Sequence, residues 1–328
     1  MPGMLPETLK PTLRKLLEKK KGEPVGLAGM SPLGGGCINE SLRVETTAGL
    51  FFVKYNDARR YPGMFEAEAR GLALLRDGVG SGGHAGDSLR FEAAPGEGRG
   101  QEYRGSNPSP ILVPAVVAWG GDDRYSLLVL EYLDTGSIKE GFWEAFGSGL
   151  ARLHLNAGIE FGLDHSNYIG SLPQSNRPHS NWIDFFISER IEAQLKLARD
   201  NGKGDKGLAK GFQDLYPHLS DFFPEETPAL LHGDLWSGNF MVAKSRKAAI
   251  VDPAVYYGHR YMDLGMTKLF GGFAPGFYEG YQGEYPLEKT WEEGIGIANL
   301  YPLLVHLNLF GRGYLGSISN TLKPFKRT

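Results

Sequence analysis

The chain has 328 residues, a formal net charge of −3, 41% hydrophobic residues and 22% charged residues. That balance is globular: it excludes wholesale disorder and lacks the basic surplus of a general nucleic-acid binder. A single cysteine, Cys37, excludes an intrachain disulfide and a cysteine-based zinc site, and suits a reducing compartment.

Leu9, Leu13, Leu16 and Leu17 recur at helical spacing and predict an amphipathic helix over Pro6–Lys21. Its charges, Glu7, Lys10, Glu18 and Lys19 to Lys21, break up any apolar run, so no signal peptide is expected. Strands separated by glycine turns are expected up to Asn56, with Ser41–Thr46 and Leu50–Tyr55 as a hairpin around Ala48 and Gly49. Met64–Arg76 reads as a helix with Phe65, Ala69, Leu72 and Leu75 on one face. Gly78–Pro110 is rich in Gly, Ser, Pro and charge and reads as a solvated loop insertion. Ile111–Ala118 and Ser126–Glu131 look like strands, followed by a short connector at Leu133–Gly136.

The remainder is mostly helical. Phe142–Leu155 and Trp182–Arg199 have helical periodicity, the second with Ile183, Phe186, Ile187, Ile191 and Leu195 on one face. Two short apolar runs, Ala229–Leu231 and Ala248–Val251, each end in a polar motif. Further helices are expected at Tyr261–Phe270 and Leu287–Gly311. The apolar stretch around Ile295–Phe310 carries Asn299, Pro302, His306 and Asn308, too polar for a membrane span. A soluble cytoplasmic protein is expected, with an organellar location left open and with neither membrane nor nucleic acid as partner.

Chemistry concentrates in Leu231-His232-Gly233-Asp234-Leu235-Trp236-Ser237-Gly238-Asn239. Asp234 and Asn239 are five apart, and Asp252 follows thirteen residues later at the end of an apolar run. An amide and a carboxylate, Asn239 and Asp252, suit Mg²⁺, a hard ion that takes oxygen ligands and completes its shell with phosphates and water. Asp234 is then free to accept a proton from an attacking hydroxyl. The spacing is that of a kinase catalytic loop, although Asp, Gly, Ser and Asn are also turn residues. His232 is read as a structural hydrogen-bonder.

A second group lies upstream. Lys54 ends the run Phe51-Phe52-Val53, and Glu68 sits fourteen residues later on the predicted helix. Either Lys54 snorkels from an edge strand, or it is held by Glu68 and reaches ATP phosphates; the downstream motif favours the second. Gly34-Gly35-Gly36-Cys37-Ile38-Asn39-Glu40 is no Walker A loop, since no Gly-Lys-Ser/Thr follows. Its glycines could form a plain turn, or let backbone N–H groups approach phosphate without a Cβ clash. Cys37 within it is either small filler or an accessible, redox-sensitive thiol able to cross-link two chains. The chain is therefore expected as a monomer or a redox-linked homodimer.

These motifs resemble the fructosamine/ketosamine-3-kinase family, within the protein-kinase-like and aminoglycoside-phosphotransferase-like enzymes. The resemblance rests on His232 to Asn239, on Asp252-Pro253-Ala254 with Tyr257-Gly258-His259, and on Gly271-Gly272-Phe273. The Gly34–Glu40 loop and Phe52-Val53-Lys54 add to it, so it spans about Leu33 to Tyr314, with the Gly78–Pro110 insertion as the main departure. It implies an α+β, two-lobed protein-kinase-like fold. A small N-lobe, residues 1–133, would carry an antiparallel sheet and one long helix, and a larger, mainly helical C-lobe would span residues 134–328. ATP would lie between them, with adenine against Glu131-Tyr132-Leu133.

The activity it implies is phosphorylation of the 3-hydroxyl of a ketosamine, free or protein-bound, after which the adduct decomposes and frees the amine. Asp-Pro-Ala stands where protein kinases have Asp-Phe-Gly, and no Ala-Pro-Glu segment is present, which argues against a protein-hydroxyl kinase. Trp236 either stacks on the sugar-like face of the substrate or supports the loop from the core; the resemblance favours contact. The other readings are a small-molecule kinase for an aminoglycoside, choline or homoserine, and an inactive nucleotide-binding scaffold.

Overall fold

A computed structural model describes residues 5–34, 38–80 and 109–325. After a 3₁₀ turn at Glu7–Leu9 comes α1 (Lys10–Lys21), then β1 (Leu27–Leu33), β2 (Glu40–Thr46), β3 (Gly49–Asp57) and α2 (Met64–Gly80). Then follow β4 (Ile111–Leu112), β5 (Val116–Gly121) and β6 (Tyr125–Glu131). Strands β1, β2, β3, β6 and β5, in that spatial order, form an antiparallel sheet.

The sheet has two apolar faces, as its alternation requires. On β6, Leu127 and Val129 join Leu42, Val44 and Val53 beneath Leu9, Leu13 and Leu17 of α1. Leu128 and Leu130 point the other way, into the main core with Phe65, Ala69, Leu72 and Leu75 of α2. The amphipathic N-terminal helix thus caps the outer face, while the long helix α2 lies on the inner face.

The larger part of the chain is mainly helical. It contains α3 (Phe142–His154), the hairpin β7 (Asn167–Ile169) and β8 (Leu172–Gln174), and α4 (Trp182–Phe185). A π-helical stretch, Phe186–Glu192, leads into α5 (Ala193–Asp200), then α6 (Lys206–Leu215) and α7 (Leu219–Phe222). Four short strands follow: β9 (Ala229–Leu231), β10 (Phe240–Val242), β11 (Ala248–Ile250) and β12 (Tyr256–Gly258). The chain closes with α8 (Tyr261–Leu269), α9 (Pro275–Glu284), α10 (Trp291–Ala298), α11 (Leu300–Phe310) and α12 (Leu315–Leu322). No helix among the described residues is long and apolar enough to cross a membrane.

Four expectations change. Ile111–Ala118 is not one strand: β4 pairs in parallel with β11, while β5 joins the five-stranded sheet. Pro114 lies between them and cannot donate to a ladder. Leu287–Gly311 is two helices divided at Asn299, with Pro302 in the first turn of α11, where its missing N–H costs nothing. Trp182–Arg199 is continuous but widened through Phe186–Glu192, which turns Glu189 and Arg190 into the interior. Finally, Gly78 to Gly80, expected as the start of the insertion, form the last turn of α2; residues 81–108 lie outside the described part.

Candidate active site

Strand alternation carries Lys54 to the inner side of the sheet. Val53 and Tyr55 face α1, whereas Phe52 and Lys54 line a cleft of about 470 Å³. Lys54 is 3% exposed and its Nζ donates to Glu68 Oε1 at 2.7 Å and to Asp252 Oδ1 at 2.8 Å. Burial by itself would lower the ammonium pKa, but Asp252 and Glu68 outweigh it and hold Lys54 above the ordinary lysine value. Burial raises the Glu68 carboxyl above its ordinary value against the opposing pull of Lys54, and Nζ lies within 3 Å of both carboxylates. The strand lysine and helix carboxylate expected as a pair are therefore together, and Asp252 is a third member.

The second half of the site is the loop after β9. Gly233 has φ of +82°, and a Cβ there would lie 2.1 Å from the Ala254 carbonyl oxygen, so only glycine fits. Buried Asp263, at the start of α8, accepts from the backbone N–H groups of His232 at 2.7 Å and Gly233 at 2.8 Å. His154 Nε2 donates to the same carboxylate at 3.1 Å, and Tyr281 OH donates to His154 Nδ1 at 2.8 Å. Burial alone would raise Asp263; the His154 hydrogen bond, the two histidines and the Gly233 N–H outweigh it and hold the carboxyl below its usual range.

His232 ties the two motifs to one another. Its Nε2–H donates to the Val251 carbonyl at 3.0 Å, and its Nδ1 accepts from Asp234 N–H at 3.3 Å. Burial lowers its pKa, in keeping with this neutral tautomer and with a structural role. Asn239 Nδ2 donates to the Asp234 carbonyl at 2.9 Å and to Asp234 Oδ2 at 3.0 Å. The amide nitrogen is thus spent on the Asp234 turn. Burial pushes the Asp234 carboxyl up to about 7; the Asn239 hydrogen bond opposes this, and Asp252 and Asp263 add to it.

Asp252 follows β11 with φ of +56°, a left-handed conformation that Asp adopts more readily than most residues. Its side chain is 46% exposed, so one oxygen meets Lys54 while the group stays open to the cleft. No cluster of three His, Cys, Asp or Glu residues with metal-binding geometry occurs among the described residues. The donors Asn239 Oδ1 and Asp252 are hard oxygens, and two such ligands fit Mg²⁺, whose shell is usually completed by water and phosphate.

Trp236 is 38% exposed at the cleft wall, beside Gly238 and edge-on to Phe270 at 6.5 Å. It is not a core residue, although its ring packs over Gly238 of the same loop. Glu131, Tyr132 and Leu133 line the same cleft where β6 ends, as does Gly34. Glu131 Oε2 accepts from Ala115 N–H at 3.0 Å, so that side chain braces the strand end. Gly35, Gly36 and Cys37 lie outside the described residues, and so does the expected redox thiol.

The sequence reading missed Asp263, His154 and the apolar walls formed by Met64, Leu130 and Met241. A charged residue in the first turn of the apolar segment Tyr261–Leu269 was the available signal for Asp263; nothing local marked the others.

The family model described as fructosamine kinase matches residues 9–80 and 105–327. A probable ketoamine kinase of Synechocystis is 34% identical over 317 residues, covering 96% of each chain. A chloroplastic protein-ribulosamine 3-kinase of Arabidopsis thaliana is 34% identical over 311 residues, covering 94% of this chain and 85% of the relative. A crystal structure of a "putative fructosamine-3-kinase" from Haemophilus somnus superposes with a TM-score of 0.78 at 27% identity, covering 96% of this chain and 97% of the other. An ADP-bound aminoglycoside phosphotransferase, at 15% identity and a TM-score of 0.56 over 97% of each chain, shares the kinase-like fold alone.

Proposed function

The chain belongs to the fructosamine kinase family, and from that premise we propose that it is an ATP-dependent kinase that phosphorylates the 3-hydroxyl of ketosamines, leading to release of the amine. The observation that carries the reading is one cleft in which Lys54 is bonded to Glu68 and Asp252, and Asp234 is bonded to Asn239. In the proposed division, residues 1–133 form the nucleotide-covering lobe and 134–328 the lobe that binds the acceptor. Glu131, Tyr132 and Leu133 border adenine, and Gly34 borders the phosphates.

Asp234 orients the 3-hydroxyl and takes its proton on a carboxylate oxygen. The acceptor oxygen bonds to the γ-phosphorus as the bond from that phosphorus to the β–γ bridging oxygen breaks, and ADP leaves with the electron pair. Lys54, held by Glu68, stabilises charge on the ATP phosphates, and Trp236 places the sugar-like face of the acceptor. Asn239 and Asp252 would hold Mg²⁺, which when bound neutralises phosphate charge. Most of the rate comes from positioning and charge stabilisation. A carboxyl pushed up to about 7 is matched to proton transfer near neutral pH.

The deciding experiment offers ATP, Mg²⁺ and paired fructose- and ribulose-derived amine adducts, with an aminoglycoside and choline as controls. Phosphate on the 3-hydroxyl of an adduct is expected, and the kcat/KM ratio names the sugar. Phosphate on a control alone moves the substrate class; transfer to none of them favours a scaffold. Trp236→Ala should raise KM for the adduct about tenfold, on the scale of a lost aromatic contact, with KM for ATP unchanged. The cytoplasmic location and the monomer or Cys37-linked homodimer are part of the same reading. Non-reducing gels after peroxide, with Cys37→Ala as control, test the link.

A further inference from the structure

The residue that would ligate metal sits on a turn whose backbone is held from behind. In β7 and β8, Asn167 and Gln174 are directly opposite one another, so both side chains leave the same face of the hairpin. Asn167 Nδ2 donates to the Val255 carbonyl at 2.8 Å, and Gln174 Nε2 donates to the Ala254 carbonyl at 3.2 Å. These are the second and third carbonyls after Asp252.

Each amide is itself oriented. Gln174 Oε1 accepts from Tyr301 OH at 2.6 Å, and Asn167 Oδ1 accepts from Gln174 Nε2 at 2.8 Å and Asn176 Nδ2 at 3.0 Å. Asn176 Oδ1 in turn accepts from Arg190 Nη2 at 2.8 Å. A guanidinium can only donate, so Arg190 fixes which end of Asn176 is the acceptor, and through it which end of Asn167 donates to Val255. Asn167, Gln174, Asn176 and Arg190 are all buried. Arg190 has no carboxylate partner among the described residues and lies over the rings of Tyr256 at 3.9 Å and Phe185 at 4.5 Å. Burying a cation and three amides is costly unless they are paired; here Arg190 also donates to the Ser175 carbonyl at 2.6 Å, and the Asn167 and Gln174 amide donors end on the Val255 and Ala254 carbonyls of one turn.

We propose that Gln174 and Asn167 are positioning residues for Asp252, holding the Ala254 and Val255 carbonyls so that the Asp252 carboxylate stays aimed into the cleft. Arg190 and Tyr301 set the direction of that brace. The proposal rests on the reading of Asp252 as a metal ligand and adds what keeps it in place.

The test titrates Mn²⁺ into the full-length enzyme with ADP and follows free Mn²⁺ by its paramagnetic resonance signal. Gln174→Met, near in volume but without either hydrogen bond, should weaken Mn²⁺ binding about 10-fold, at the lower end of the effect of groups that orient metal ligands. Tyr301→Phe, which leaves Gln174 but frees its carbonyl end, should shift binding in the same direction by less. ADP binding without metal should stay within about twofold in both, and kcat should fall while KM for the adduct holds. If Gln174→Met does not fold, Tyr301→Phe decides by the same readout.

A lower melting temperature with unchanged Mn²⁺ affinity overturns the brace. Asp252→Ala separates the layers. Loss of Mn²⁺ binding there, with wild-type affinity in the other two variants, overturns the brace alone; wild-type affinity in Asp252→Ala overturns the metal assignment and the brace with it.

Discussion

The two sides of the cleft are built by different physics. On the sheet side, Lys54 is placed by strand alternation and Glu68 by a helix face, both backed by apolar packing on two faces of one sheet. On the loop side, Asp234, Asn239 and Asp252 sit on non-repeating backbone, with Gly233 and Asp252 in left-handed conformations. What holds that side is a set of buried polar contacts: Asp263 to two backbone N–H groups, His232 between Val251 and Asp234, and the amides behind Ala254 and Val255. Apolar packing is non-directional and tolerates exchange, whereas a buried hydrogen bond leaves a costly orphan when one partner goes. Activity and stability should therefore separate on the sheet side and travel together on the loop side.

The largest break is at Asp234. Asp234→Ala should lower kcat by about 10³-fold, within the range for a lost general base, while isothermal titration still shows nucleotide binding. The same group sets a pH dependence. Its folded pKa lies near 7, above an ordinary aspartate, so kcat/KM should rise as pH rises through 7 and the base form appears. Stability runs the opposite way: the folded state holds a proton that the unfolded chain has released, so stability is lost as pH rises from about 4 to 7. Asp234→Ala should remove that slope in thermal melts taken across the window.

Lys54→Met should lower kcat/KM about 100-fold, the scale of one lost electrostatic stabiliser, and steady-state kinetics should place the loss in kcat more than in KM for the adduct. Asp263→Asn probes the loop side. It should cost about 3 kcal/mol in urea unfolding, as for a broken buried ionic contact, and kcat should fall with it although Asp263 does not line the cleft. Leu17→Ala sharpens the contrast from the sheet side. It should cost about 2–4 kcal/mol, the usual price of a fully buried leucine, yet leave kcat/KM within about twofold because α1 covers the face away from the cleft. Equal losses of activity in Asp263→Asn and Leu17→Ala, once matched for stability, would erase the distinction.

Both halves of the candidate site were legible in the chain, for unlike reasons. Lys54 and Glu68 follow from two periodicities, 2 on β3 and 3.6 on α2, each set by local apolar residues. Asp234, Asn239 and Asp252 follow from spacing, which is a chemical pattern with no periodicity behind it. Nothing local marked His154 or Asn167, since a buried His or Asn looks like a surface one until its partner arrives from more than eighty residues away.

The element errors have the same origin. The apolar character of Ile111–Ala118 was evident, but its division between two sheets depended on which strand each half met. Likewise the widened turn at Phe186–Glu192 depends on Arg190 finding Asn176 and the rings of Tyr256 and Phe185. By itself the sequence determined the N-terminal helix, α2, α3, α8, the β2–β3 hairpin and the family, and it singled out the candidate site residues, because each is encoded by neighbours along the chain, whereas α6, α7, α9 and α12 went unread. Only the tertiary structure decided that Lys54 bonds Asp252 across 198 residues, that Trp236 stands at the cleft wall, and that an amide network backs the Asp252 turn. Those are contacts between distant segments, and their energy exists only once the chain has closed around them.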